Sequence, residues 1–168
     1  MDGKRCDGMI LADAAHQAVE DMTRRVALLH LSYARMLVQE LGEERGRELI
    51  SRAIWNYGTR IGEQTRERVE ALGLEPTAEN FGKGSDLSPI GFDSQRTTVE
   101  GEGRTQVFGC VLAEVWQKYD EAELGGLYCL VDPAKMQGYD PDWTMVHTKK
   151  VTDGEEFCEM VVRPCSHE

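Results

Sequence analysis

Residues 34–63, ARMLVQELGEERGRELISRAIWNYGTRIGE, decide the fold. Gly42 divides the stretch in two. On its left, Leu37 and Leu41 continue a three- and four-residue spacing that starts at Val19 and runs through Met22, Val26 and Leu29. Residues 13–41 contain no Pro and no Gly, so the spacing predicts one long helix capped by Gly42. On its right, Glu43 and Glu44 open a second helix at the end where the dipole favours acidic groups. Its apolar stripe is Leu49, Ile50, Ala53, Ile54, Tyr57 and Ile61, and Gly73 stops it after Leu72. Gly46, Gly58 and Gly62 interrupt that helix at about 1 kcal/mol each relative to Ala, which predicts a backbone packed closely against another element. Two long helices joined by one tight turn make a helical hairpin.

Beyond it the pattern changes. Residues 75–103 carry Pro76, Pro89 and five glycines, and read as a long connection with one strand near residues 97–100. Such a stretch suits a lid or binding loop. Residues 105–110 read as a strand, and residues 112–119 and 122–131 as short helices. Residues 143–151 and 157–163 are rich in β-branched and aromatic side chains, and Asp153-Gly154 between them gives a hairpin signal. The expected architecture is α+β, a long N-terminal helical hairpin packed on an antiparallel sheet, with short helices and a C-terminal β-hairpin. One domain covers residues 1–168, with residues 1–12 as a flexible N-terminus and 164–168 as a tail.

A chain of 168 residues and 18.9 kDa is long enough to bury a single core. With 19 basic and 30 acidic side chains its net charge is −11, which repels nucleic-acid phosphates and anionic lipid. No run of about 18 apolar residues exists to span a membrane. The apolar stretch at residues 9–12 is too short for a signal-peptide core, so a cytoplasmic location is expected. Five cysteines, an odd number, fit reduced thiols. The chain has no phosphate-binding glycine loop, dinucleotide fingerprint, Gly-x-Ser-x-Gly elbow, Cys-x-x-Cys or His-Glu-x-x-His.

Between residues 33 and 162 four segments carry a resemblance. They are the helix pair quoted above, FGCVLAEVWQKY at 108–119, LYCLVDPAKMQGYDPDW at 127–143 and TKKVTDGEEFCE at 148–159. Together they resemble the L-2-amino-thiazoline-4-carboxylate hydrolase family. Val111 stands where a Pro is expected in many relatives. The resemblance implies hydrolytic opening of a cyclic amidine at a C–N bond, giving N-carbamoyl-cysteine, in bacterial cysteine metabolism. The closing Gly-x-x-x-Cys hairpin also resembles 4-vinyl reductase domains, which share an α+β fold with TRAPP subunits and bind small apolar ligands or metals. That implies the alternative, a non-catalytic ligand- or metal-binding module.

The candidate site follows from these segments. Cys110 sits where a strand ends and a helix begins, and a thiol there can be depressed in pKa and act as nucleophile; equally it can be a small buried hydrophobe. Cys129 lies beside Leu127 and Leu130, and Cys158 alternates onto one strand face with Met160 and Val162; both read first as core. Asp132 is either a general base or a cap for a turn starting at Pro133. His147 shares a strand face with Trp143, Met145 and Lys149, where an imidazole is either a proton shuttle or an ordinary half-buried side chain. Catalytic candidates are therefore Cys110, Asp132, His147 and Cys129, with Glu114 in reserve. Cys110, Cys129, Cys158 and His147 would together suit zinc or iron, although spacings of 19 and 29 residues match no standard module and no cofactor is required. Tyr139 and Trp143 either wall a small pocket or close the core. The expected partner is a small-molecule substrate, with no nucleic acid and no membrane, and the chain is a monomer or homodimer.

Overall fold

A computed structural model describes residues 11–85 and 93–165. The expectations for residues 1–10 and 166–168, and for Cys6, Pro89, Gly91 and His167, lie outside these. Helices α1 (Ala12–Leu41) and α2 (Glu43–Ala71) form the hairpin, so α1 already includes Ala12. Gly42 joins them at φ +80°, its N–H donating to the Val38 carbonyl, and Gly73 ends the second at φ +73°. Strands β1 (Asp93–Val99) and β2 (Glu102–Phe108) follow, then α3 (Val111–Lys118), α4 (Ala122–Gly125), a 3-10 turn (Gly126–Leu130), α5 (Val131–Tyr139), β3 (Trp143–Lys149) and β4 (Cys158–Pro164).

The long connection is shorter than its sequence suggested. Instead of one strand near residues 97–100 it holds a 3-10 turn at Phe81–Gly84 and then all of β1, paired antiparallel with β2. Glu100 and Gly101 turn that hairpin with φ of +53° and +85°, the double positive φ of a type I′ turn. The expected helix over residues 122–131 is also divided. α4 stops at Gly125, whose missing Cβ makes room for the face of Trp116. The chain then tightens and restarts as α5 at Val131, and Pro133 is accepted because its absent N–H belongs to the first turn. The Asp153-Gly154 signal marks the end of a 3-10 turn (Val151–Asp153), with Gly154 at φ +93°, inside a longer β3–β4 connection.

The sheet is four-stranded and antiparallel, in the order β1-β2-β4-β3. β4 therefore lies between two strands that precede it in the chain. α5 bridges α2 to β3. A Cβ at Gly58 would stand 2.7 Å from the Val131 carbonyl oxygen, and one at Gly62 2.1 Å from that of Lys135. Close packing is thus the reason for the helix glycines. One core, with Ala27, Leu31, Ile50, Ala113 and Trp116, holds the hairpin on α3 and α4; the Trp116 indole N–H donates to the Ala27 carbonyl at 3.2 Å. His30 is half-buried there between the Trp116 and Tyr128 rings, and its desolvation lowers its pKa. A second core joins Val69, Met136 and Tyr139 to Phe81, Trp143, Met145 and Val162 under the sheet. Tyr139 is fully buried and donates to the Thr77 carbonyl at 2.9 Å, so it and Trp143 close the core.

Candidate functional site

The inner face of the sheet carries Trp143, Met145 and His147 from β3 and Cys158, Met160 and Val162 from β4, set by the pairing of Met145 with Val162 and His147 with Met160. A bulge between His147 and Lys149 shifts the register beside Cys158. Cys110 is the residue before α3, and Cys129 lies in the 3-10 turn leading into α5. Four sequence positions far apart are thereby brought to one place.

Their interactions separate the sulfurs. The Cys110 thiol donates to Cys158, and the Val151 N–H donates to the Cys158 Sγ at 3.4 Å. The charge of a protonated His147 acts in the same sense. These donors outweigh burial and the negative charge of Asp132, so Cys158 lies below an ordinary thiol. Cys110 moves the other way, chiefly because its proton is held by Cys158 and because it is buried, although the Ala113 N–H favours its anion. Burial, with Asp132 next, pushes Cys129 up to about 12. The expectation at Cys110 is a depressed thiol; the Val151 N–H instead points to the Cys158 sulfur, which favours the anion at Cys158 over that at Cys110. Among the described residues Cys110, Cys129, Cys158 and Cys165 are all free of disulfides.

Asp132 is the second residue of α5 and makes no capping hydrogen bond, so the capping reading is also corrected. Its carboxylate meets the His147 Nε2 at 3.2 Å and the Lys135 ammonium at 3.7 Å. His147 is 11% exposed at the side chain and Asp132 24%. Nε2 is the ring nitrogen that Asp132 engages. Glu114 leaves the site: it is exposed and pairs with Arg24 at 3.3 Å. Cys110, Cys129, Cys158 and His147 come together, but His147 engages Asp132 and Cys158 engages Cys110. Among the described residues no group of three His, Cys, Asp or Glu side chains has the arrangement of a metal site. A hollow lined by His16, Glu20, Asp93, Phe108, Gly109, Val111 and Glu114 opens beside the backbone on either side of Cys110.

The sequence reading gave Cys158 no catalytic part and missed Lys135 and the Val151 N–H. A signal for Cys158 existed. Once the two C-terminal strands pair, period-two alternation puts His147 and Cys158 on one face. The bulge that adjusts their spacing has no such signal.

The model of the L-2-amino-thiazoline-4-carboxylic acid hydrolase family matches residues 20–162. The chain belongs to this family. No curated protein and no solved structure matches it. The hydrolase match takes in every member of the thiol cluster and the whole of α2, α5 and the sheet from β1 to β3. Among the described residues no helix is long and apolar enough to cross a membrane.

Proposed function

We propose that the chain hydrolyses a small cyclic amidine of the 2-amino-thiazoline-carboxylate type, with Cys158 as nucleophile and His147, oriented by Asp132, as the proton carrier. The observation that carries this reading is the Cys158 sulfur, which accepts from the Cys110 thiol and the Val151 N–H beside the His147–Asp132 pair. Family membership supports the substrate class. An apolar ligand channel would turn Asp132 and His147 outward; both instead act electrostatically on the thiols.

The bonds balance as follows. The Cys158 thiolate adds to the ring amidine carbon, and the ring nitrogen takes a proton from the His147 imidazolium. The ring carbon–sulfur bond then breaks, and the departing sulfur takes a proton from the amidinium, leaving an isothiourea on Cys158. Water, deprotonated by neutral His147, adds to the same carbon. Cys158 leaves as thiolate, the hydroxyl proton passes to nitrogen, and N-carbamoyl-cysteine results. Both nitrogens stay on carbon in that product, so the bond broken is carbon–sulfur, and the C–N cleavage expected from the sequence is revised. The N–H groups at the start of α3 lie beside the cluster and suit negative charge developing there.

Ring opening frees a thiol, so turnover is read by thiol titration of the product. Cys158→Ala is expected to lose at least about a hundredfold in turnover. Iodoacetamide near pH 6, followed by peptide mapping, is expected to label Cys158 before Cys110 and Cys129. Wild-type turnover by Cys158→Ala overturns the nucleophile, and failure of the native protein to open the ring overturns the reaction.

A further inference from the structure

α1 has two apolar faces. Ala27, Leu31 and Ala34 are buried against the body of the protein. On the opposite side Met22, Val26, Leu29, Tyr33 and Met36 follow each other at alternating intervals of four and three residues, and all are exposed, by 39–66%. Half-buried Val19 extends the row one step toward the N-terminus. This is the a/d spacing of a helix that packs knobs-into-holes on another helix, and among the described residues no element of this chain covers it. We propose that this stripe pairs with the same stripe of a second copy, giving a two-fold dimer through α1.

Three observations select a second copy. The stripe is self-complementary in the sense a two-fold interface requires, because the same knobs and holes occur on both sides. The area is sufficient: five long side chains at these exposures present on the order of 500 Å² per copy, and pairing two removes about 1,000 Å², the lower limit for a specific interface. Charge points the same way. The chain carries −11 overall, yet α1 has four acidic and three basic side chains, so the stripe lies on a nearly neutral helix where like-charge repulsion between copies is weak. With three arginines balanced by four acids, the face has no basic excess to hold an anionic membrane or nucleic acid.

Sedimentation velocity of the full chain over a wide concentration range tests this without reference to activity. The expected result is a concentration-dependent species of twice the 18.9 kDa chain mass. It strengthens as salt screens the net charge. Leu29→Glu combined with Tyr33→Glu is expected to give a monomer with unchanged circular dichroism and a thermal midpoint equal to that of the native chain diluted to monomer, since both side chains are exposed. Leu72→Glu, an equally exposed apolar residue off the stripe, is expected to leave the dimer intact. A monomer at all concentrations, or a dimer indifferent to the double variant, overturns the proposal.

Discussion

A sulfur becomes a useful nucleophile only where its charge is held, and here the holding is asymmetric. Cys158 receives a thiol proton and a backbone N–H, whereas Cys110 gives its proton away and Cys129 is simply buried. Asp132 acts at one remove, through His147. Asp132→Asn keeps the size of the side chain but cannot hold the imidazole in the same tautomer or stabilise the imidazolium. Turnover is expected to fall by about 10²–10⁴-fold. The thermal midpoint should shift by only a few degrees, because Asp132 caps nothing and its ion pairs are partly solvated. Steady-state kinetics and a melting curve on one preparation check both halves; a large loss of stability with full turnover would make Asp132 structural. Residue types made Cys110, Asp132, His147 and Cys129 candidates from the sequence. Which sulfur carries charge was not legible, because that depends on where the Val151 N–H points after a turn that no local pattern specifies.

At the level of elements, α5 is held against α2 by backbone rather than by side chains. Cβ atoms at Gly62 and Gly138 would each meet a carbonyl oxygen at 2.1 Å, those of Lys135 and Thr59 respectively. Neither atom can swing aside, so the helices must part. Gly62→Ala is expected to destabilise by about 1–3 kcal/mol and to lower turnover as well, since α5 carries Asp132 to His147. Gly42→Ala is the control: a Cβ there meets nothing within 4 Å, and only the positive φ is penalised. With ψ at 165° that backbone is one almost only glycine adopts, so the change should cost about 1–3 kcal/mol and leave turnover alone. Urea unfolding with parallel assays separates the two; an active, fully stable Gly62→Ala would contradict the tight contact. The hairpin was legible because apolar spacing, Gly42 and the acidic start of the second helix agree. The β1–β2 hairpin was not, because DSQRTTV lacks an alternating apolar face and Glu is an unusual first residue for a turn with two positive φ angles. The break after α4 escaped notice because its cause, the contact of Gly125 with Trp116, is tertiary.

For the molecule as a whole, stability toward acid rests on the outer face of the sheet. Glu159 is 3% exposed and accepts from Gln106 at 2.8 Å, Thr148 at 2.7 Å and Arg104 at 2.6 Å, bonds that hold its carboxyl at about 2. Glu102 is also at about 2, mainly through Arg163 and further through Arg104. Unfolded carboxylates titrate near 4.3, about two units higher, so protons bind the unfolded chain first. The stabilisation is complete above that value and is lost as pH falls toward 2. Glu159→Gln is expected to lower the urea midpoint at pH 7 and to flatten the fall between pH 4.5 and 2.5; an unchanged slope would assign acid lability elsewhere. The position of β4 has a consequence for how the protein is made. A ribosome delivers the chain from its N-terminus, so α1, α2 and the β1–β2 hairpin emerge first. β2 and β3 must then wait with facing edges unpaired, because the strand that fits between them is translated after both. Cys158 arrives on that strand. Completion of the sheet and arrival of the proposed nucleophile are one event, so a nascent chain halted before residue 158 lacks both the closed sheet and the thiol cluster.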